Sequence, residues 1–122
     1  MDNPKIDSIL EQAEICRLSG NYEPAIPLYK QILEQVADHH GATLGLAHCY
    51  LNTGLFDESL EHFKKAAEIC PHDIKTLMDL AKAYLMLGHF DEGKETFLQV
   101  LAIDPDNEEA KKQLSYFEAF ES

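Results

Sequence analysis

Residues 46–71 read LAHCYLNTGLFDESLEHFKKAAEICP, residues 80–105 read LAKAYLMLGHFDEGKETFLQVLAIDP, and the two stretches lie 34 positions apart. Tyr50 answers to Tyr84, Phe56 to Phe90, Asp57 and Glu58 to Asp91 and Glu92, Phe63 to Phe97, Ile69 to Ile103, and Pro71 to Pro105. Working outward, Gly54 and Gly88 find a third member in Gly20 at the same spacing. Self-similarity at a period of about 20 to 50 residues marks a stacked repeat, in which no single unit can bury its apolar face alone.

The content of each period is helical. Small residues recur at Ala13, Ala47, Ala81 and Ser115, and again at Ala25, Ser59 and Gly93. They predict helix pairs that approach to the short end of the usual range of about 8 to 10 Å. Tyr22, Phe56 and Phe90, with Tyr29, Phe63 and Phe97, predict two aromatic ladders, while Leu46, Tyr50, Leu80 and Tyr84 recur at i and i+4. Gly20, Gly54 and Gly88 stand between apolar runs, where a left-handed residue ends a helix without side-chain cost. Asp73 and Asn107 occupy N-cap positions, and Asn3-Pro4 reads as a cap followed by a first-turn proline. The pattern predicts seven helices, near 4–19, 22–36, 39–53, 57–69, 73–87, 91–103 and 107–120, and no strand. Pro24 fits a first turn, whereas Pro27 removes a hydrogen bond from the second helix and predicts an irregular start.

The order Leu46-Ala47, Tyr50, Ser59, Phe63, Pro71, repeated as Leu80-Ala81, Tyr84, Gly93, Phe97, Pro105, resembles the tetratricopeptide repeat. Three repeats, at about 6–39, 40–73 and 74–107, and a capping helix at about 107–120 then make one domain over 1–122. The resemblance implies an all-α, right-handed solenoid of antiparallel helix pairs. The first repeat is degenerate: Gln12 stands for Leu, Cys16 for Tyr and Ala37 for Pro, and the family's Trp slot holds Ile9, Thr43 and Leu77. Ala110, Leu114 and Ser115 carry the register into the last helix.

Composition narrows the function. With 122 residues, 45% of them hydrophobic, the chain has the size of one domain and enough apolar material for a core. A formal charge of -12, with only 10 Lys and Arg residues scattered along the chain, argues against nucleic acid and against an anionic membrane. Glu58, Glu61, Glu92 and Glu95 read as a solvated outer face. Residues 1–10 are polar and no apolar run reaches membrane-spanning length, so a cytoplasmic protein is expected. Cys16, Cys49 and Cys70 form no Cys-x-x-Cys motif and read as reduced thiols.

No reaction chemistry emerges. His39, His40 and His48 lack the spacing of a zinc site, each helix-ending glycine stands alone rather than in a phosphate-binding loop, and no nucleophile elbow occurs. No catalysis, metal or cofactor is expected.

The resemblance implies a concave face lined by the first helix of each repeat. In the first repeat it selects Leu10, Glu14 and Arg17 with Asp7, Glu11 and Leu18. The second supplies Leu44, His48, Leu51 and Asn52 with the small Gly41 and Gly45, and the third Met78, Lys82, Leu85 and Met86 with Lys75 and Asp79. Leu44, Leu51, Met78, Leu85 and Met86 exceed what Leu46, Tyr50, Leu80 and Tyr84 already provide for the core. Such a surplus suits an amphipathic or extended apolar segment of a protein partner. The family's clamp for a chaperone's C-terminal carboxylate would fall on Leu10, Glu14, Gly45, Lys75 and Asp79. Only Lys75 matches, so that ligand is not expected. The expectation is a non-enzymatic protein-interaction scaffold. The alternative is a homo-oligomerisation module using the groove and the terminal helix, with a homodimer contact through Tyr116 and Phe120.

Overall fold

The computed structural model describes residues 3–121, except the side chains of Phe120 and Glu121. Among the described residues every regular element is a helix: α1 (Pro4–Leu18), α2 (Tyr22–Gln35), α3 (His40–Asn52), α4 (Phe56–Ile69), α5 (Ile74–Met86), α6 (Phe90–Ile103) and α7 (Glu108–Glu121). Each end falls within one residue of the boundary expected from the sequence.

The stops repeat because their chemistry repeats. Gly20, Gly54 and Gly88 have φ of 83°, 85° and 83°, the left-handed region that lacks a steric penalty only for glycine. Past each glycine the next amide folds back onto the helix: Asn21 N to Cys16 O at 2.8 Å, Leu55 N to Tyr50 O at 2.9 Å, His89 N to Tyr84 O at 2.8 Å. This six-to-one bond satisfies a carbonyl that the helix end would orphan. Starts repeat as well. The side chains of His39, Asp73 and Asn107 accept from the amides of Ala42 (3.0 Å), Thr76 (3.1 Å) and Ala110 (2.9 Å). At α1 the cap is Asn3, whose Oδ1 accepts from Lys5 N at 3.0 Å, with Pro4 as the first helical residue. α2 runs through Pro27 without interruption, so the missing amide costs one hydrogen bond and not the helix.

The chain divides into two compact units, Met1–Ile69 and Cys70–Ser122. In the first, α2 packs on α1 and α3, and α3 packs on α4. Its core is built on Ile6, Ala13, Ala25, Tyr29, Ile32, Ala42, Leu46, Cys49 and Tyr50. Ser59 of α4 comes close enough to α3 for its Oγ to donate to Ala47 O at 2.9 Å. In the second unit α6 packs on α5 and α7, and Leu80, Ala81, Phe97, Val100 and Ala110 are buried. A Cβ built on Gly93 would stand 2.7 Å from Leu85 Cδ2 and 3.4 Å from Ala81 O, so the glycine is required by the closeness of α5 and α6.

Two expectations fail here. Tyr29, Phe63 and Phe97 are buried, but Phe56 and Phe90 are exposed and Tyr22 is only half-buried, so the second aromatic ladder does not form. Those three residues open their helices, and a side chain leans toward the helix N-terminus, which carries it past the packed length of the pair. Ser115 does not serve a helix contact either. It is exposed, and its hydroxyl donates to Lys112 O within α7.

Candidate functional site

Glu14 and Arg17 lie one turn apart on α1, and a side chain from α2 reaches both. Arg17 Nη2 donates to Glu14 Oε2 at 2.5 Å, Arg17 Nε donates to the Tyr29 hydroxyl at 3.0 Å, and that hydroxyl donates to Glu14 Oε1 at 2.9 Å. The three groups close a ring in which every donor has a matching acceptor. Burial opposes the Arg17 charge, but bonds to Glu14 and Tyr29 outweigh it and raise the pKa. Burial also raises the Tyr29 phenol; its bond to Glu14 adds to this and its bond to Arg17 works against it. Arg17 therefore stays cationic and Tyr29 neutral throughout the ordinary pH range.

Tyr29 reaches this position because α3 leaves room for it. A Cβ on Gly45 would lie 2.3 Å from Tyr29 Cζ, so the ring rests directly on the glycine backbone. Gly45 is therefore not a gap for a ligand, as its small size suggests in the sequence. It is the seat of an intramolecular ring. Tyr29 is not among the site residues selected from the sequence, although it carries a hydroxyl at a slot where the other repeats have Phe63 and Phe97. A buried tyrosine hydroxyl demands a partner, and that is the signal the sequence offers.

The other first-helix positions divide between surface and packing. On α1 Leu10 is half-buried. On α3, Leu44 and Leu51 are half-buried, and His48 turns its ring edge-on to Phe63 with centroids 5.0 Å apart. Asn52 is exposed, and its amide donates to His48 O at 2.8 Å. On α5, Met78 is buried, half-buried Leu85 rests against Gly93, and Met86 is 65% exposed. Lys82 pairs with Glu109 of α7 at 2.6 Å, and Lys75 lies 3.4 Å from Asp79 within α5. Leu85 is therefore engaged by packing against α6 and Met78 is buried, which shortens the apolar strip expected from the sequence. Tyr116 on α7 is half exposed, whereas the side chain of Phe120 lies outside the described residues.

Among the described residues no group of three or more His, Cys, Asp or Glu is placed to hold a metal ion. No helix among them is long and apolar enough to cross a membrane. Cys16, Cys49 and Cys70 are free, and burial pushes the Cys49 thiol up to about 11.

The sequence profile of the tetratricopeptide repeat matches residues 17–61 and 54–114. No curated protein sequence matches the chain. Among solved structures, the first TPR of Spaghetti (RPAP3), bound to the HSP90 peptide SRMEEVD, is similar with a TM-score of 0.86 at 21% identity, covering 100% of this chain and 98% of that one. The Yersinia enterocolitica type III secretion chaperone SycD, in complex with a peptide of the translocator YopD, gives a TM-score of 0.88 at 15% identity, over 99% and 98% of the two chains. The Sgt2 TPR domain from Aspergillus fumigatus gives 0.82 at 18% identity, over 96% and 79%.

Proposed function

Since this chain belongs to the tetratricopeptide repeat family, we propose that it is a non-enzymatic protein-interaction scaffold that binds a segment of a partner on the first-helix faces of its repeats. The observation that carries the reading is the state of the side chains on those faces. Charged and polar groups are held by local bonds, as in Glu14–Arg17–Tyr29, Asn52–His48 and Lys82–Glu109. Half-buried Leu10, Leu44 and Leu51 supply apolar contact on α1 and α3, and exposed Met86 supplies it separately on α5. A surface ordered before binding loses little side-chain entropy on meeting a segment. Peptides held by Spaghetti and by SycD support the reading for a chain of the same fold.

An internal, apolar-containing segment fits better than a C-terminal carboxylate. Glu14 and Asp79 bring two carboxylates to positions where a terminal carboxylate needs donors, and Lys75 faces Asp79. Asn52→Glu with Met86→Glu places two charges on exposed positions, so the fold is unaffected while the faces are altered. Affinity capture from cell extract should lose its specific partners with this variant, and retention of the same partners would sink the proposal. Homo-oligomerisation through Tyr116 and Phe120 rests on the exposure of Tyr116 alone, and light scattering that reports a monomer at every concentration excludes it.

A further inference from the structure

Pro24, Pro27 and Gln31 of α2 are exposed and uncharged. The same register positions carry Glu58, Glu61 and Lys65 on α4 and Glu92, Glu95 and Gln99 on α6, all of them exposed as well. On α1 the stripe Ser8, Gln12 and Ile15 is likewise exposed and uncharged. α1 and α2 double back at Gly20, which brings Gln12 level with half-buried Leu28 and Ile15 level with Pro24, so the two stripes join into one flank. Matching residues one repeat later show which way it faces. Leu46 of α3 and His62 of α4 share a groove with Lys30 and Leu33 of α2, and Leu46 is buried there. Gln12 and Leu28, which match Leu46 and His62, therefore look away from α3 and α4, toward a side left uncovered among the described residues.

We propose that this flank is an interface between two copies of the chain, in which their α1–α2 pairs meet about a two-fold axis. A two-fold contact sets each side chain against the same flank of the other copy, so a carboxylate there would face carboxylates. For a chain of net charge -12 that repulsion is the main obstacle to self-association, and Pro24 and Pro27 remove it at two positions where α4 and α6 both carry Glu. A partner of different sequence gives no reason to strip charge from this one flank, because opposite charges would speed its encounter and fix its register. Ile15, 59% exposed, supplies apolar contact with Pro24, Pro27 and Leu28. The amides of Gln12 and Gln31 each hold donors and an acceptor, so they can pair with their own kind. Glu11 and Glu23 stay exposed at the border, which gives the interface an uncharged centre and an acidic rim. Helices of 15 and 14 residues about 10 Å apart form a flank of roughly 20 by 20 Å, burying on the order of 500 Å² per copy. A standard interface buries about 800 Å² per partner, so the dimer is weak and depends on concentration. Self-association here and segment binding on the first-helix faces can each fail without the other.

Sedimentation velocity of the full chain, from about 5 to 500 µM, should follow a shift from monomer to dimer, and a monomer throughout overturns the proposal. Gln12→Glu with Gln31→Glu, at exposed positions that leave the fold intact, should weaken the dimer about tenfold or more. Gln99→Glu with Ser115→Glu adds the same charge at exposed positions outside the flank and should change the dimer less than about twofold. Equal weakening by the two pairs means that net charge alone controls association, and overturns the proposal. Raising salt from about 50 to 500 mM should tighten the wild-type dimer by screening its acidic rim. Loosening by salt means that opposite charges hold the copies together, and overturns it as well. Tyr116→Ser should leave the dimer unchanged, and loss of the dimer in that variant moves the contact to α7 and removes it from this flank.

Discussion

α1 and α3 are the same element of successive repeats, yet α3 buries Ala42, Thr43, Gly45, Leu46, Ala47, Cys49 and Tyr50, whereas α1 buries only Ile6 and Ala13. Position by position, exposed Ser8 corresponds to buried Ala42, exposed Gln12 to buried Leu46, and Ile15, 59% exposed, to buried Cys49. The difference follows from neighbours. α3 packs against α1, α2 and α4, while α1 packs chiefly against α2 and touches α3 lightly. Substitutions that look like decay in the first repeat, above all Gln for Leu at position 12, are what an uncovered flank calls for.

The contrast between the two helices is widest at Leu46 and Gln12. Leu46→Ala removes a buried side chain and should cost about 3 kcal/mol, whereas Gln12→Ala at the matching position should stay within about 0.5 kcal/mol. Urea unfolding of the two variants reads this directly, and a comparable cost at Gln12 would mean that its flank is covered after all. Next in size is the pair of glycines inside α3. Gly45→Ala drives a methyl into the Tyr29 ring and should cost about 2 kcal/mol net of the helix propensity it gains. Gly41→Ala meets the His39 ring at 3.3 Å and Leu10 Cδ1 at 3.9 Å, and because that ring caps α3 through Nδ1 the change should cost up to about 1 kcal/mol, less than at Gly45. Equal thermal midpoints for the two would remove Tyr29 from its seat on Gly45.

The smallest effect separates Cys49 from its counterpart Ile15 by pH. Burial raises the folded-state pKa of Cys49 to about 11, above its unfolded value, so the unfolded chain loses this proton first. Stability contributed by the neutral thiol is complete below about pH 9 and is lost as pH rises toward 11. Cys49→Ala should flatten that part of the alkaline stability curve, and a curve of unchanged slope would show that the thiol does not take part. The Tyr29 phenol, also raised, adds a loss of the same sign at higher pH.

Much of the fold is legible in the chain alone. The glycines at φ near 85°, the caps at Asp73 and Asn107, the Asn3-Pro4 start and the buried line of Tyr29, Phe63 and Phe97 all follow from local chemistry repeated at one spacing. The cap at His39 completes that series and is not evident from residue type, since histidine is not a customary N-cap and works here through Nδ1 as an acceptor. The candidate site is legible only as a set of positions. Glu14 and Arg17 are selected by their register on α1, but their closure through Tyr29 joins residues 12 and 15 apart in sequence and on different helices. Met78 and Leu85 read as surface surplus and are instead drawn into packing, because a helical wheel does not show how closely the next helix approaches.

By itself the sequence determined the period, the seven helices, their stops and starts, and the core line of each repeat. These depend on backbone conformation and on apolar spacing within one helix, which are written into adjacent residues. Only the tertiary structure decided that Tyr29 fills the space over Gly45 and holds Glu14 and Arg17, and that Gly93 admits Leu85. Those outcomes depend on the distance between helix axes, and that distance is set by all the side chains between two helices together and not by any one of them.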